Sequence, residues 1–216
     1  MQYNKIINGN PRLNIITIKD LKKDDSPNSN MPSIPPKLQN ILSKLQGVTE
    51  RDDIYDILDI ACENNELKAL GNIVFKQGPF QIEVSLRGHS DDLAEKLLTV
   101  NNLGIKSAPI LVDHIKVNDD YGVLVTYHEG CENDLPLPYD EAYPTVTSEA
   151  KLKFLQEMEI LLNYGLVHKY AVEGTPHWYV NPTTGYITLD SWHSLEEVDP
   201  TTIDKNQILN SIKKCF

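Results

Sequence analysis

The residues best suited to chemistry lie in the segment HKYAVEGTPHWYVNPTTGYITLDSW, residues 168–192. His168 begins this segment, and a histidine can take up or release a proton near neutral pH. Asp190 follows a short apolar pattern typical of a strand, and a carboxylate at a strand end can bind a cation such as Mg²⁺. His168 and Asp190 are therefore residues whose types could serve catalysis, and Asp190 could also bind a metal. The alternatives are a histidine that holds a loop by hydrogen bonds and an aspartate that caps a turn.

Two further histidines, His177 and His193, flank the two tryptophans of the same segment. Together with His168 and Asp190 they offer four potential metal ligands, but their spacing matches no metal-binding signature. A half-buried aromatic corner is the alternative interpretation of this cluster.

Arg87 and Glu95 are the candidate cofactor-binding residues in the first half of the chain. Arg87 directly follows the alternating pattern FQIEVSL, and Glu95 lies in the helical pattern after it. The planar guanidinium group of arginine binds phosphate well and pairs with carboxylates. A surface ion pair between the two side chains, which contributes little to stability, is the alternative.

The hydrophobic periodicity predicts the order helices, hairpin, helix, strand pair, connection, long helix, hairpin and helix. Ser90 is the candidate N-cap of the helix at residues 91–101. Short turns join the strand pairs, so the sheets are expected to be antiparallel and the fold class α+β. Residues 1–36 are predicted to form a flexible N-terminal arm and linker, because residues 24–36 are rich in Ser, Asn and Pro. Residues 37–216 are predicted to form a single α+β domain.

The formal net charge is −11, which argues against binding to nucleic acids or to anionic membranes. Between residues 113 and 149 there are nine acidic residues and one basic residue, so another protein with a basic surface is the expected partner. No apolar run approaches the roughly 18 residues of a membrane helix, and the first twenty residues contain no signal-peptide pattern. We therefore expect a cytoplasmic protein, or one exported without a signal peptide.

The three cysteines are odd in number and far apart, which disfavours a disulfide framework or a zinc knuckle. Cys131 lies in a polar stretch, so it could be exposed.

The order of elements and the pattern of apolar and turn residues in 168–192 resemble those of protein kinases and aminoglycoside phosphotransferases. In these families a histidine begins the catalytic loop, a hairpin follows, and a strand then ends in a metal-binding aspartate before an aromatic residue. Here WYVNPTTGYITL is the hairpin, and Asp190 precedes Ser191 and Trp192. The resemblance covers residues 72–192 and implies a minimal two-lobed fold. The small lobe would span about 37–127, a hinge would lie at 128–134, and the larger lobe would span about 135–216.

The chain departs from the pattern of these families at the positions that carry catalysis. Phosphoryl transfer needs a base-position Asp, a metal-binding Asn and a phosphate-binding Lys paired with a helix Glu. Counted from His168, Tyr170 occupies the base position and Thr175 the Asn position. Arg87 falls near the Lys position, with Glu95 as its partner, and no GxGxxG loop precedes the first hairpin.

The main functional hypothesis is a kinase-like domain without standard catalytic residues, a pseudokinase that acts as a binding or regulatory protein. Its predicted arm and compact domain would also suit a bacterial effector. One alternative is an atypical active phosphotransferase that uses ATP and Mg²⁺ with His168, Asp190 and Arg87. Another is an unrelated acidic interaction or immunity protein, which predicts no cleft between the two sheets. The sequence leaves open whether the protein is an enzyme and which cofactor it binds.

Overall fold

A computed structural model of the chain describes residues 32–131, 137–142, 146–174 and 177–216. Most of the predicted N-terminal arm, residues 1–31, lies outside these ranges, as does Thr175. Every strand pair within them is antiparallel, so the predicted α+β class is confirmed. None of the helices in the described ranges is both long and apolar enough to cross a membrane.

A five-stranded antiparallel sheet forms the centre of the N-terminal half, in the spatial order β1-β2-β3-β5-β4. Its strands are β1 (Lys68–Ala69), β2 (Val74–Gln77), β3 (Phe80–Leu86), β4 (Ile110–Lys116) and β5 (Tyr121–Tyr127). The alternation in β3 buries Phe80, Ile82 and Val84 on one face. Gln81 and Glu83 consequently point to the opposite face, which lines the cleft described below.

Helices cover both faces of this sheet. Helices α1 (Pro36–Leu45) and α2 (Arg51–Glu63) bury their apolar residues in one core together with β2, β3 and β5. Helix α3 (Arg87–Asn102) joins β3 to β4, and its Leu93 and Leu97 belong to a second core shared with the C-terminal half. Because α3 contributes to that second core, it connects the two halves of the molecule.

The C-terminal half combines short strands with one long helix. Its elements are β6 (Leu137–Pro138), α4 (Tyr139–Ala142), α5 (Ser148–Asn163), β7 (Leu166–His168), α6 (Lys169–Glu173), β8 (Trp178–Val180), β9 (Ile187–Leu189), a 3₁₀ turn (Trp192–Ser194), β10 (Leu195–Glu197) and α7 (Lys205–Lys213). Trp178 is fully buried at its centre, with the rings of Phe154, Tyr139 and Phe216 at 5.0, 5.3 and 5.4 Å. These aromatic contacts anchor the β8–β9 hairpin on α5.

The loop between α3 and β4 ties the two halves together. The Glu157 carboxylate on α5 accepts hydrogen bonds from the backbone N–H groups of Lys106 and Ser107, both at 2.8 Å. The Leu189 N–H donates to the Ser107 carbonyl at 3.0 Å, which joins β9 to the same loop. Burial raises the pKa of Glu157, whereas these backbone donors lower it.

The chain segment 128–131 provides a second tie between the halves. Asn181, which is 5% exposed, donates through Nδ2 to the Glu129 carbonyl, and its Oδ1 accepts from Thr183 N–H at 2.9 Å. The Thr183 hydroxyl donates to the Gly130 carbonyl at 2.8 Å. Gly130 has φ +75°, and a Cβ there would lie 2.8 Å from Asn181 Oδ1, so this close approach requires glycine.

Candidate functional site

A cleft of about 1510 Å³ lies between the two halves. Strands β2 and β3 and helix α3 form one wall, and the β8–β9 hairpin with residues 190–193 forms the other. Large clefts with apolar walls and a few convergent polar groups are the usual ligand sites of proteins. The interpretation as an unrelated interaction protein predicted no such cleft, so the structure speaks against it.

Asp190, the predicted metal ligand, lies directly after β9 and lines this cleft. Its Oδ1 lies 3.6 Å from His177 Nδ1, is itself inaccessible to solvent, and has no hydrogen-bond partner among the described residues. Ser191 follows with φ +54°, a left-handed conformation that turns the chain at this point. Burial raises the pKa of Asp190, and the adjacent His177 opposes that effect. The prediction placed Asp190 in the candidate site, and its geometry leaves one carboxylate oxygen without a partner.

Asp190 has no set of metal ligands around it. Within the described ranges, no group of three or more His, Cys, Asp or Glu side chains is arranged to hold a metal ion. The four potential ligands named from the sequence therefore do not form a preorganised metal site, although His177 and Asp190 lie next to each other.

Glu83 lies across the cleft from Asp190, on the cleft-facing side of β3. His89, near the start of α3, places its Nε2 4.0 Å from Glu83 Oε1, and the Glu83 side chain is 24% exposed. Burial raises the pKa of Glu83, with His89 as the opposing influence. His89 in turn contacts His193 of the C-terminal half, with ring centroids 5.5 Å apart. Glu83, His89, His193 and Asp190 all line the cleft.

His168, the predicted catalytic histidine, lies behind the cleft and does not line it. The residue is 2% exposed, and its ring packs edge-on against Trp192 at 4.6 Å. Nδ1 accepts a hydrogen bond from Ala171 N–H at 3.3 Å and thereby caps α6. Burial lowers the pKa of His168 to about 4, against an opposing contribution from the backbone of Asp190. The structural interpretation of His168 therefore fits its position, and the catalytic role of His168 stays a prediction.

Arg87 and Glu95 do not form the predicted pair. The Arg87 guanidinium lies 3.0 Å from Asp119 and 3.7 Å from Asp91, at the end of the sheet remote from the cleft lining. Glu95 is exposed on α3, two helical turns further along the chain. Helix α3 begins at Arg87, whose guanidinium pairs with Asp91 and Asp119, and the cofactor-binding role of Arg87 and Glu95 stays a prediction.

The structure also places two other residues that the sequence analysis singled out, Tyr170 and Cys131. Tyr170, at the base position of the resemblance, stacks on His177 with ring centroids 3.9 Å apart. Cys131, for which the polar stretch around it left exposure open, is only 2% exposed, because Asn181 and the β8–β9 turn cover it.

The backbone of the segment 128–131 offers few free hydrogen-bonding groups to a ligand. His128 N–H donates to the Pro79 carbonyl at 2.9 Å, and its own carbonyl accepts from Cys131 N–H at 3.1 Å. The carbonyls of Glu129 and Gly130 are taken by the side chains of Asn181 and Thr183. Most of the hydrogen-bonding groups described for this segment are therefore occupied by contacts within the protein.

Sequence reasoning missed Glu83, His89 and Asn181. The alternation of β3 contained the signal for Glu83, since a strand that buries residues 80, 82 and 84 must turn residue 83 to the other face. The contacts of His89 and Asn181 depend on the approach of distant segments, for which the sequence gives no local signal.

No protein-family model matches the chain, and no curated protein matches its sequence. Among solved structures, the kinase PK-1 of Cydia pomonella granulovirus is similar, with a TM-score of 0.39 and 12% sequence identity over 66% of this chain. The match covers 57% of the viral kinase chain. So distant a likeness says nothing about activity. The described elements follow the order predicted from the sequence: a hairpin, a helix, a strand pair, a connection, a long helix and a hairpin that is followed by Asp190.

Proposed function

We propose that the chain is a kinase-like binding or regulatory protein whose cleft holds a ligand without catalysing standard phosphoryl transfer. The observation that carries this proposal is Glu83. Phosphoryl transfer in kinases uses a lysine on the third strand of the sheet, paired with a glutamate on the following helix. Here β3 presents Glu83 to the cleft, and the side chain next to it on α3 is His89. A carboxylate repels the phosphates that a lysine would attract.

Two further features support the proposal. Tyr170 stands at the position of the catalytic base and stacks on His177, and a tyrosine is a poor base at neutral pH. The backbone of residues 128–131 is hydrogen-bonded to Asn181, Thr183 and Pro79, so it has little capacity to bind a nucleobase.

A charge reversal tests the proposal directly. Purified protein with radiolabelled ATP and Mg²⁺ or Mn²⁺ should show no transfer to itself or to a basic protein acceptor. The variant Glu83→Lys should gain an ATP-dependent rise in melting temperature, because it restores a cation beside the phosphates. Glu95→Lys is the matched control, since it makes the same charge change on the exposed face of α3 and should gain no such shift. Phosphate transfer by the unmodified protein would refute the proposal.

The atypical phosphotransferase remains a second candidate because of one observation. The Asp190 side chain lines the cleft and is 37% exposed, so a cation bound to a nucleotide could reach its carboxylate. This candidate predicts a thermal shift with ATP that requires Mg²⁺ or Mn²⁺ and disappears in Asp190→Asn. If ATP produces no shift at millimolar concentration, the second candidate is excluded. The expected protein partner of the acidic region 113–149 and the effector role stay predictions.

A further inference from the structure

We propose that His89 and His193 form a pH-sensitive contact that holds the two walls of the cleft together. The contact is intact while His193 is neutral, and it is lost when both imidazole rings carry a proton. This inference goes beyond the proposed function, because it concerns how the cleft closes and not what the cleft binds.

The contact joins opposite walls of the cleft. His89 lies in the first turn of α3, and His193 lies in the 3₁₀ turn Trp192–Ser194. Both side chains line the cleft, and their ring centroids are 5.5 Å apart. Lys96, about two turns further along α3, donates from Nζ to the His193 carbonyl at 2.6 Å. The side chains of His89 and Lys96 therefore both hold the 3₁₀ turn against α3.

His89 is the ring that takes the first proton as the pH falls. Its side chain is 43% exposed, and its Nε2 lies 4.0 Å from the Oε1 of Glu83 on β3, a carboxylate that attracts the charged ring. A neutral His193 does not repel this charge. The contact consequently tolerates one proton.

His193 resists the second proton as long as the cleft is closed. Burial lowers the pKa of His193, and the charges of His89 and Lys96 lower it further. The carboxylates of Asp190 and Asp92 act in the opposite direction and raise the pKa of His193. Because separation of the walls removes the burial and the nearby charge of His89, the open cleft binds the proton more readily than the closed one. Acid therefore favours the open cleft.

The other groups close to His193 carry no charge at mildly acidic pH. The ring of Tyr170 lies 6.5 Å away between centroids, and it is uncharged. His168 lies on the same side, and burial lowers its pKa to about 4, so it stays neutral at pH 5.5. The second proton on the pair thus meets His89 and Lys96 as its neighbouring positive charges.

An opening of this kind places the release of a ligand under the control of pH. Histidines that gain protons between about pH 5 and 6 separate packed surfaces in proteins that respond to acid. Here the two surfaces are the walls of the cleft, so a ligand is retained at neutral pH and released in acid.

Hydrogen exchange of the full chain at pH 7.5 and pH 5.5 tests the inference without any ligand. The N–H groups of Ser194 and Leu195 donate to the carbonyls of Ser191 and Trp192, so their exchange reports opening of the 3₁₀ turn. After correction for intrinsic exchange rates, their opening constants should be about tenfold larger at pH 5.5, an effect between those of two like charges at this separation in water and at a protein surface. Amides of β5, which lies between β3 and β4, report global unfolding in the same experiment.

Three variants separate this contact from a general effect of acid. His193→Gln should abolish the acid response of the 3₁₀ turn, and His89→Gln should weaken it, because the second proton then meets one positive charge fewer. Glu95→Gln changes an exposed residue of the same helix and should respond like the unmodified protein. In all three variants the acid response of the β5 amides should persist, since it depends on other groups such as His168.

Histidine ring signals in NMR give a second readout. The pKa of His193 should rise in His89→Gln, since the charge of His89 lowers it in the unmodified protein. The inference is overturned if the 3₁₀ turn does not respond to acid, if its response survives in His193→Gln, or if His89→Gln leaves both the response and the pKa of His193 unchanged. None of these outcomes bears on the proposed function, which fails if the unmodified protein transfers phosphate from ATP.

Discussion

Acid should destabilise the fold through His168. The residue is 2% exposed, and burial lowers its pKa to about 4 from the ordinary value of 6.5. Since the folded pKa is lower than the unfolded one, the unfolded chain takes up a proton first as the pH falls. The contribution of His168 is therefore fully present above about pH 6.5 and is lost progressively towards pH 4. The two pKa values correspond to a decrease in the free energy of unfolding of about 2 kcal/mol at pH 5 and about 3 kcal/mol well below pH 4.

Urea unfolding followed by circular dichroism between pH 7.5 and pH 5 measures this loss. The variant His168→Asn should begin with a lower free energy of unfolding, because Asn fills less space, although it can still cap α6. Between pH 7.5 and pH 5 it should then lose about 2 kcal/mol less than the unmodified protein. Because the other groups titrate alike in the two proteins, the difference between their changes in the free energy of unfolding gives the contribution of His168.

A second histidine serves as a reference for that experiment. Burial also lowers the pKa of His128 to about 4, with the Lys76 charge adding to it. His128 keeps some solvent exposure, so we expect its titration to lower the free energy of unfolding by less than that of His168. If His168→Asn and the unmodified protein lose stability in parallel, the reasoning about His168 burial is wrong.

Three further substitutions probe how the cleft is held. Trp178→Ala removes the fully buried ring at the centre of the C-terminal half and should cost about 3–5 kcal/mol in urea unfolding; a loss near zero would contradict the packing. Asn181→Ala leaves the Glu129 carbonyl without its donor and should cost about 2–3 kcal/mol, whereas Thr183→Ala, the control within the same turn, should cost about 1 kcal/mol. Glu157→Gln keeps only one acceptor for two backbone N–H groups, so hydrogen exchange at those two amides should become faster. Unchanged exchange would show that these hydrogen bonds do not stabilise the loop between α3 and β4.

The elements with strong periodicity could be predicted from the sequence. The alternation of residues 80–86 matches β3, and the predicted long helix matches α5, which spans Ser148–Asn163. Helix starts were predicted less well. Ser90 was the candidate N-cap, but α3 begins three residues earlier, and the Ser90 hydroxyl donates to the Arg87 carbonyl inside the helix. A serine hydroxyl can satisfy either role, and only tertiary packing decides between them.

The site could be predicted only in part, for a related reason. Asp190 follows from a local signal, the end of a strand after a hairpin, and the structure places it in the cleft. The partner of Arg87 does not follow locally, because Asp119 lies in a turn 32 residues away. His168 shows a third case: a residue whose type suits catalysis is buried behind the site, and the sequence contains no information on burial depth at that position.

Glu83 and Asp190, two carboxylates that line the cleft, do not help the chain to fold. Burial raises the pKa of Glu83 and Asp190, so the folded state favours their neutral forms and their charges lower its stability at neutral pH. Interactions that stabilise a carboxylate, such as the two backbone donors of Glu157, are present elsewhere in the same molecule. Groups that oppose stability are a common feature of binding sites, where the ligand supplies the missing partner.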